Sequence, residues 1–140
     1  MTASGPSVAA LQGALAAEHA AVYGYGVVGA MLTGTELADA RADWTAHQVA
    51  RDALITTLNK LGATPVAASP AYKLPFPVTS PKSAARLAAI LENGVTRAYL
   101  GLVAVNNPAL RAFAAQAMQT SANRALAWSG TTTAFPGMPA

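Results

Sequence analysis

Four prolines, Pro65, Pro70, Pro75 and Pro77, fall between Ala63 and Ser80 in the middle of the chain. Proline has no backbone donor and its ring clashes with the preceding helical turn, so no helix runs through this stretch. A segment of this kind is stiff and extended, and it divides the chain into two halves.

Each half reads as a pair of helices. Ser7 is placed to cap a first helix over about residues 8–33, with the stripe Leu11, Leu15, Glu18, Val22, Tyr25, Gly29, Leu32. That 4-3-4-3 spacing is one face of a helix packed in a bundle. Gly34 suits the left-handed residue that closes it. Thr35 then caps a second helix over about 36–61, with Glu36 and Asp39 at the dipole's positive end. Its stripe is Leu37, Trp44, His47, Arg51, Leu54, Leu58, Leu61, and Gly62 and Pro65 stop it. After the connection 63–80, Ser80-Pro81 is a cap followed by a proline at the first helical position. The third helix, about 81–105, offers Ala88, Glu92, Val95, Tyr99 and Leu102. Asn107-Pro108 repeats the signal and opens a fourth over about 108–129, with Leu110, Phe113, Ala117, Ser121, Arg124 and Trp128. Gly130 ends it, and the tail 130–140 carries Phe135, an aromatic ring that either docks or frays.

The connections run short, long, short. Short loops make antiparallel hairpins of helices one and two and of helices three and four. A helix of ~26 residues is about 39 Å long. The eighteen residues between the hairpins reach roughly 56 Å in polyproline-like extension. The connection is long enough to travel the length of the bundle and start helix three at the far end. The expected fold is therefore all-α: one ferritin-like four-helix bundle over residues 1–140, two hairpins joined by a Pro-rich crossover.

Composition narrows the function classes. Hydrophobic residues make up 53% and charged residues 11%, which excludes a disordered chain. The absence of Cys excludes disulfide scaffolds, thiolate zinc sites and thiol catalysis. The net charge is +3, but the basic residues are scattered singly, so no nucleic-acid partner is expected. No apolar run reaches the ~20 residues of a bilayer span, so no membrane partner is expected and a cytoplasmic location is the default.

Counting from each turn puts two glutamates at one depth. Glu18 lies sixteen residues before Gly34, level with the region of His47 and Arg51. Glu92 lies fifteen residues before Asn107, level with Ser121 and Arg124. Inner-face charges are costly unless paired or metal-bound. The favoured reading is a buried polar network of Glu18, His47, Arg51, Glu92 and Arg124, with His47 hydrogen-bonded to Glu18 and the guanidinium groups neutralising the carboxylates. In the alternative reading, Glu18, His47 and Glu92 are ligands for iron or manganese.

The runs Ala17-Glu18-His19-Ala20-Ala21-Val22-Tyr23-Gly24-Tyr25-Gly26, Gly62-Ala63-Thr64-Pro65-Val66, Ala71-Tyr72-Lys73-Leu74-Pro75-Phe76-Pro77-Val78 and Leu91-Glu92-Asn93-Gly94 resemble the actinobacterial domain of unknown function 4439 (DUF4439). The resemblance covers nearly the whole chain and implies a ferritin-like fold, with no known activity. The wider ferritin-like dimetal pattern wants a Glu-x-x-His on each of helices two and four. Here Trp44 stands three before His47, and helix four has neither an acidic residue nor a histidine. Only Glu18, His47 and Glu92 match, so no cofactor is favoured.

Other features take plainer readings. Gly24-x-Gly26-x-x-Gly29 has dinucleotide-fingerprint spacing but lies inside a helical stripe with no strand before it, and it reads as close packing. His19 is rotated about 100° from Glu18 and faces a groove or solvent. Asp43 and His47, four apart, are placed to pair on one helix face. Tyr72, Leu74 and Phe76 alternate as anchors of the crossover. Tyr25, Trp44, Tyr99 and Trp128 are candidates to line a pocket for an unidentified small molecule. The expected function is non-catalytic binding or association, as a homodimer or other homo-oligomer. The alternative is an iron- or manganese-binding protein or oxidoreductase.

Overall fold

The computed structural model describes residues 5–131, and among these the regular elements are four α-helices with no strand. They are α1 (Pro6–Ala30), α2 (Gly34–Lys60), α3 (Pro81–Val103) and α4 (Pro108–Ser129). None is long and apolar enough to cross a membrane. Phe135 lies outside the described residues.

The second hairpin starts where its side chains dictate. The Ser80 hydroxyl accepts from the Ser83 N–H at 3.1 Å, and Ser83 Oγ accepts from the Ser80 N–H at 3.0 Å. This reciprocal pair satisfies two donors at the open end of α3. Asn107 Oδ1 accepts from Leu110 N–H at 3.1 Å at the head of α4, and Gly130 closes α4 at φ +72°. The first hairpin departs from expectation. Gly5 caps α1, Pro6 is its first residue, and Ser7 lies inside the first turn. The helix stops at Ala30, before Gly34. Gly34 does adopt a left-handed conformation, φ +61°, but it opens α2 behind the extended Thr33, so Thr35 is not a cap. With so short a link between the helices, the chain reverses at the entry to α2.

Two apolar clusters fix the topology. At one end Leu11 and Leu15, early in α1, pack with Leu54 and Leu58, late in α2, and with Tyr99 and Leu102, late in α3. At the other end Tyr25, Val28 and Leu32 pack with Ala40, early in α2, and with Ala84, Leu87 and Ala88, early in α3. Thus α2 ends where α1 begins, and α3 starts at the opposite end of the four-helix bundle. The crossover spans that length, and α2 and α3 run parallel.

The crossover lies on α1 and α3. Tyr72, Leu74, Phe76 and Val78 are half-buried while the residues between them are exposed. Tyr72 packs on Tyr23 with ring centroids 5.4 Å apart, and the Arg86 guanidinium sits 4.4 Å over the Phe76 ring. Gln12 clasps the start of the segment, donating to Thr64 O at 2.7 Å and accepting from Val66 N–H at 2.8 Å. His19 Nε2 meets Val66 O at 2.9 Å, so this histidine also serves the crossover.

α1 packs closely on α2 and α3, and α3 on α4, whereas α2 and α4 are joined by long side chains, Asp43 reaching Trp128 and Arg124. The stripe expected on α3 is buried at Ala88, Glu92, Val95, Tyr99 and Leu102. On α2, however, Ala40 is buried and Trp44 is 39% exposed; on α4, Ala114 is buried and Phe113 is 37% exposed. On α4 the inward residues are the small Ala114, Ser121 and Ala125, whereas α2 buries Ala40 together with His47, Leu54 and Leu58.

Candidate functional site

Between the two apolar clusters lies one polar layer. Glu18 from α1, His47 from α2 and Glu92 from α3 enter it from three helices, each almost fully buried. His47 Nδ1 meets Glu18 Oε2 at 2.6 Å. Its other nitrogen, Nε2, bonds Glu92 Oε1 and lies 3.3 Å from Oε2. A neutral imidazole offers one N–H, whereas two carboxylates on opposite nitrogens call for two donors, which is the imidazolium form. Burial works against the charge on His47, but the hydrogen bonds and charges of Glu18 and Glu92 outweigh it and hold the pKa up at about 9. Burial pushes the Glu92 carboxyl above the usual range, against the opposing pull of His47 and Arg124.

Neighbours complete the layer. Tyr99 O–H donates to Glu18 Oε1 at 2.9 Å. Burial, then the Glu18 charge, push the Tyr99 phenol far above its ordinary value, so it stays a donor. Thr96 Oγ1 donates to the Glu92 backbone carbonyl at 2.9 Å. Tyr25 stacks on the His47 ring at 5.4 Å and 29°. No fully buried side-chain nitrogen or oxygen is left without a partner among the described residues. That matters because each unpaired polar group in such a site costs about 1–3 kcal/mol.

The arginines part company. Arg124 stands at the edge of the layer, its NH1 4.0 Å from Glu92 Oε1 and its Nε 3.4 Å from Asp43 Oδ1. Arg51 is not in the layer. Its Nε donates to Asp52 Oδ1 at 2.9 Å on the surface, with the Arg51 side chain 27% exposed. The His47 ring already fills the space between the two glutamates, and the long arginine stem carries its charge out to water. Asp43 does not pair with His47 either. It turns toward α4, where its Oδ2 accepts from Trp128 Nε1–H at 2.9 Å and from Tyr25 O–H at 3.3 Å.

The four aromatic candidates do not share a pocket. Tyr25 and Trp128 pack at 6.4 Å beside Asp43. Tyr99 packs edge-on to Phe113 at 5.8 Å on the other side of the layer. Trp44 lies in a shallow outer groove with Tyr25, Gly26 and Leu37. An open cleft does exist, between α2 and α4: Val49, Ala50, Ala53, Phe113 and Ala117 wall it, and Glu18, His47, Ser121 and Arg124 form its floor.

The donor set does not fit a metal centre of the kind the alternative reading requires. The two ring nitrogens point in opposite directions, each toward a different carboxylate, so Glu18, His47 and Glu92 do not converge on one point. Among the described residues no group of three His, Asp or Glu side chains does. Tyr99, Thr96 and Asp43 escaped the reading as members of the layer. Glu92, Thr96 and Tyr99 stand at i, i+4 and i+7, a spacing that places them on one helix face.

Residues 10–140 match the model of a family described as a domain of unknown function, DUF4439. No curated protein matches the chain. Among solved structures it is similar to a conserved hypothetical protein, rv2844, from Mycobacterium tuberculosis. The two are 35% identical, and the match covers 91% of this chain and 98% of that one with a TM-score of 0.86. The chain belongs to the DUF4439 family.

Proposed function

We propose that this chain is a ferritin-like scaffold in which a buried layer, Glu18–His47–Glu92 with Arg124 at its edge, stands where a dimetal centre would sit, and that it acts by binding rather than by catalysis. One observation carries the reading: His47 spends both ring nitrogens on carboxylates from different helices. The parallel α2 and α3 joined by a full-length crossover support the ferritin-like part, since that is the one-crossover arrangement of such bundles. Glu18 and Glu92 are almost fully buried and each already accepts from His47, which supports a structural rather than a catalytic use of the pair.

The reading includes self-association through the α1–α2 face, where Trp44 and the groove beside Gly26 leave apolar surface exposed. Sedimentation equilibrium of the wild type and of Trp44→Ser tests this part; a monomer in both cases removes it. The metal question is decided by elemental analysis of protein from iron-replete cells, followed by titration with ferrous and manganous ions. The expected result is no stoichiometric metal. One equivalent held tightly, and lost in His47→Ala, overturns the reading.

A further inference from the structure

Each carboxylate of the polar layer already accepts a hydrogen bond, whereas two of the donor side chains around it, Arg124 and Ser121, make none. Glu18 receives His47 and Tyr99, Glu92 receives His47, and Asp43 receives Tyr25 and Trp128. Arg124, by contrast, stands 3.4 Å and 4.0 Å from its two carboxylates. These are ion-pair separations longer than ordinary N–H···O hydrogen bonds. Arg124 lines the α2–α4 cleft, and beyond these two ion pairs its guanidinium makes no hydrogen bond to the described residues. Ser121 is only 2% exposed and lines the same cleft. Its hydroxyl makes no hydrogen bond to the described residues, and because no fully enclosed polar atom is unpartnered, that hydroxyl opens on the cleft.

Next to these donors is an apolar wall. Val49 is 65% exposed and Phe113 37% exposed, and between them lie the alanines of the cleft. The cavity is about 230 Å³. That is below the usual range for a drug-sized ligand, so the occupant is small. From an anchored donor pair at one end and an unfilled apolar trough at the other, we infer that the cleft binds a small amphipathic carboxylate. Its head group takes the Arg124 fork and the Ser121 hydroxyl, and its hydrocarbon body lies against Val49, Ala53 and Phe113. A cationic head group would meet Arg124 itself, and the carboxylate that lines the cleft, Glu18, already holds two donors. Bidentate guanidinium–carboxylate pairing supplies both strength and orientation.

This site rests on the binding role proposed above, but its failure is separable from that of the metal-free layer. The probe is octanoate, titrated into the full chain and followed by amide chemical shifts, with octylammonium and octanol as matched controls. Octanoate is expected to saturate and to move the amides around Ser121 and Arg124, with both controls at least about tenfold weaker, the scale of one charge-assisted hydrogen bond. Arg124→Gln should weaken octanoate by a similar factor. Ala53→Leu fills the trough without touching a polar partner and should abolish binding while the thermal unfolding transition persists. No saturable octanoate binding, equal binding of octylammonium, or full binding by Ala53→Leu overturns the site. Metal uptake, measured separately, overturns the layer whatever octanoate does.

Discussion

His47 faces Glu18 through Nδ1 and Glu92 through Nε2, so both carboxylates share one imidazolium, with Arg124 as a second positive charge at the edge of Glu92. The consequence for stability has a definite sign. The folded-state pKa of about 9 lies above the ordinary 6.5, so the folded protein holds this proton more tightly than the unfolded chain. The resulting stabilisation, of order 3 kcal/mol, is whole below pH 6.5 and is lost as pH rises through 9. The raised Glu92 carboxyl acts in the same direction, because ionising it is harder in the folded state. Urea midpoints are therefore expected to fall across this window, and the slope should flatten in His47→Gln. A midpoint that is level or rising over the same range contradicts the assignment.

Two glycines in α1 separate packing from propensity. Gly24 is buried, and a Cβ there would overlap the Leu91 side chain of α3. Gly26, two residues on, has nothing within 4 Å of the same position. Gly26→Ala is expected to raise stability by about 0.5–1 kcal/mol, the usual helix-interior gain. Gly24→Ala should show no such gain, and Leu91→Ala should restore it; denaturant melts of the three variants and the double mutant measure this. Close approach was thus the right reading of this glycine run, but at one glycine rather than three. Legibility varied with side-chain size in the same way. α3 was readable because large residues mark its inner face. On α4, and at Ala40 of α2, a small residue lies inside, and alanine carries no signal that distinguishes core from surface. Trp44 and Phe113 lie outward for that reason, while His47, Leu54 and Leu58 of the same α2 stripe and Ser121 of the α4 stripe are buried as expected. Depth counting brought Glu18, His47 and Glu92 to one level but could not choose between His47 and Arg51, which lie one turn apart. The choice depends on the ring fitting between two carboxylates, a tertiary fact.

At the scale of the whole bundle, α2 is held to α1 by a tight hairpin and to α3 by His47, while Asp43 reaches across to α4. Asp43→Ala leaves the Trp128 N–H and the Tyr25 O–H without their acceptor. The expected cost is about 1–3 kcal/mol, with faster hydrogen exchange in α4 and altered emission from Trp128. Unchanged exchange would show that the two helices are held together by something other than this bridge. The layer that links α1, α2 and α3 rests in turn on one protonation state. The ¹⁵N shifts of the His47 ring, recorded from neutral to alkaline pH, report it directly. Both nitrogens are predicted to carry protons at neutral pH, and one of them to lose its proton near 9. A neutral tautomer at neutral pH, or ring shifts that move on adding ferrous or manganous ion, would contradict the account.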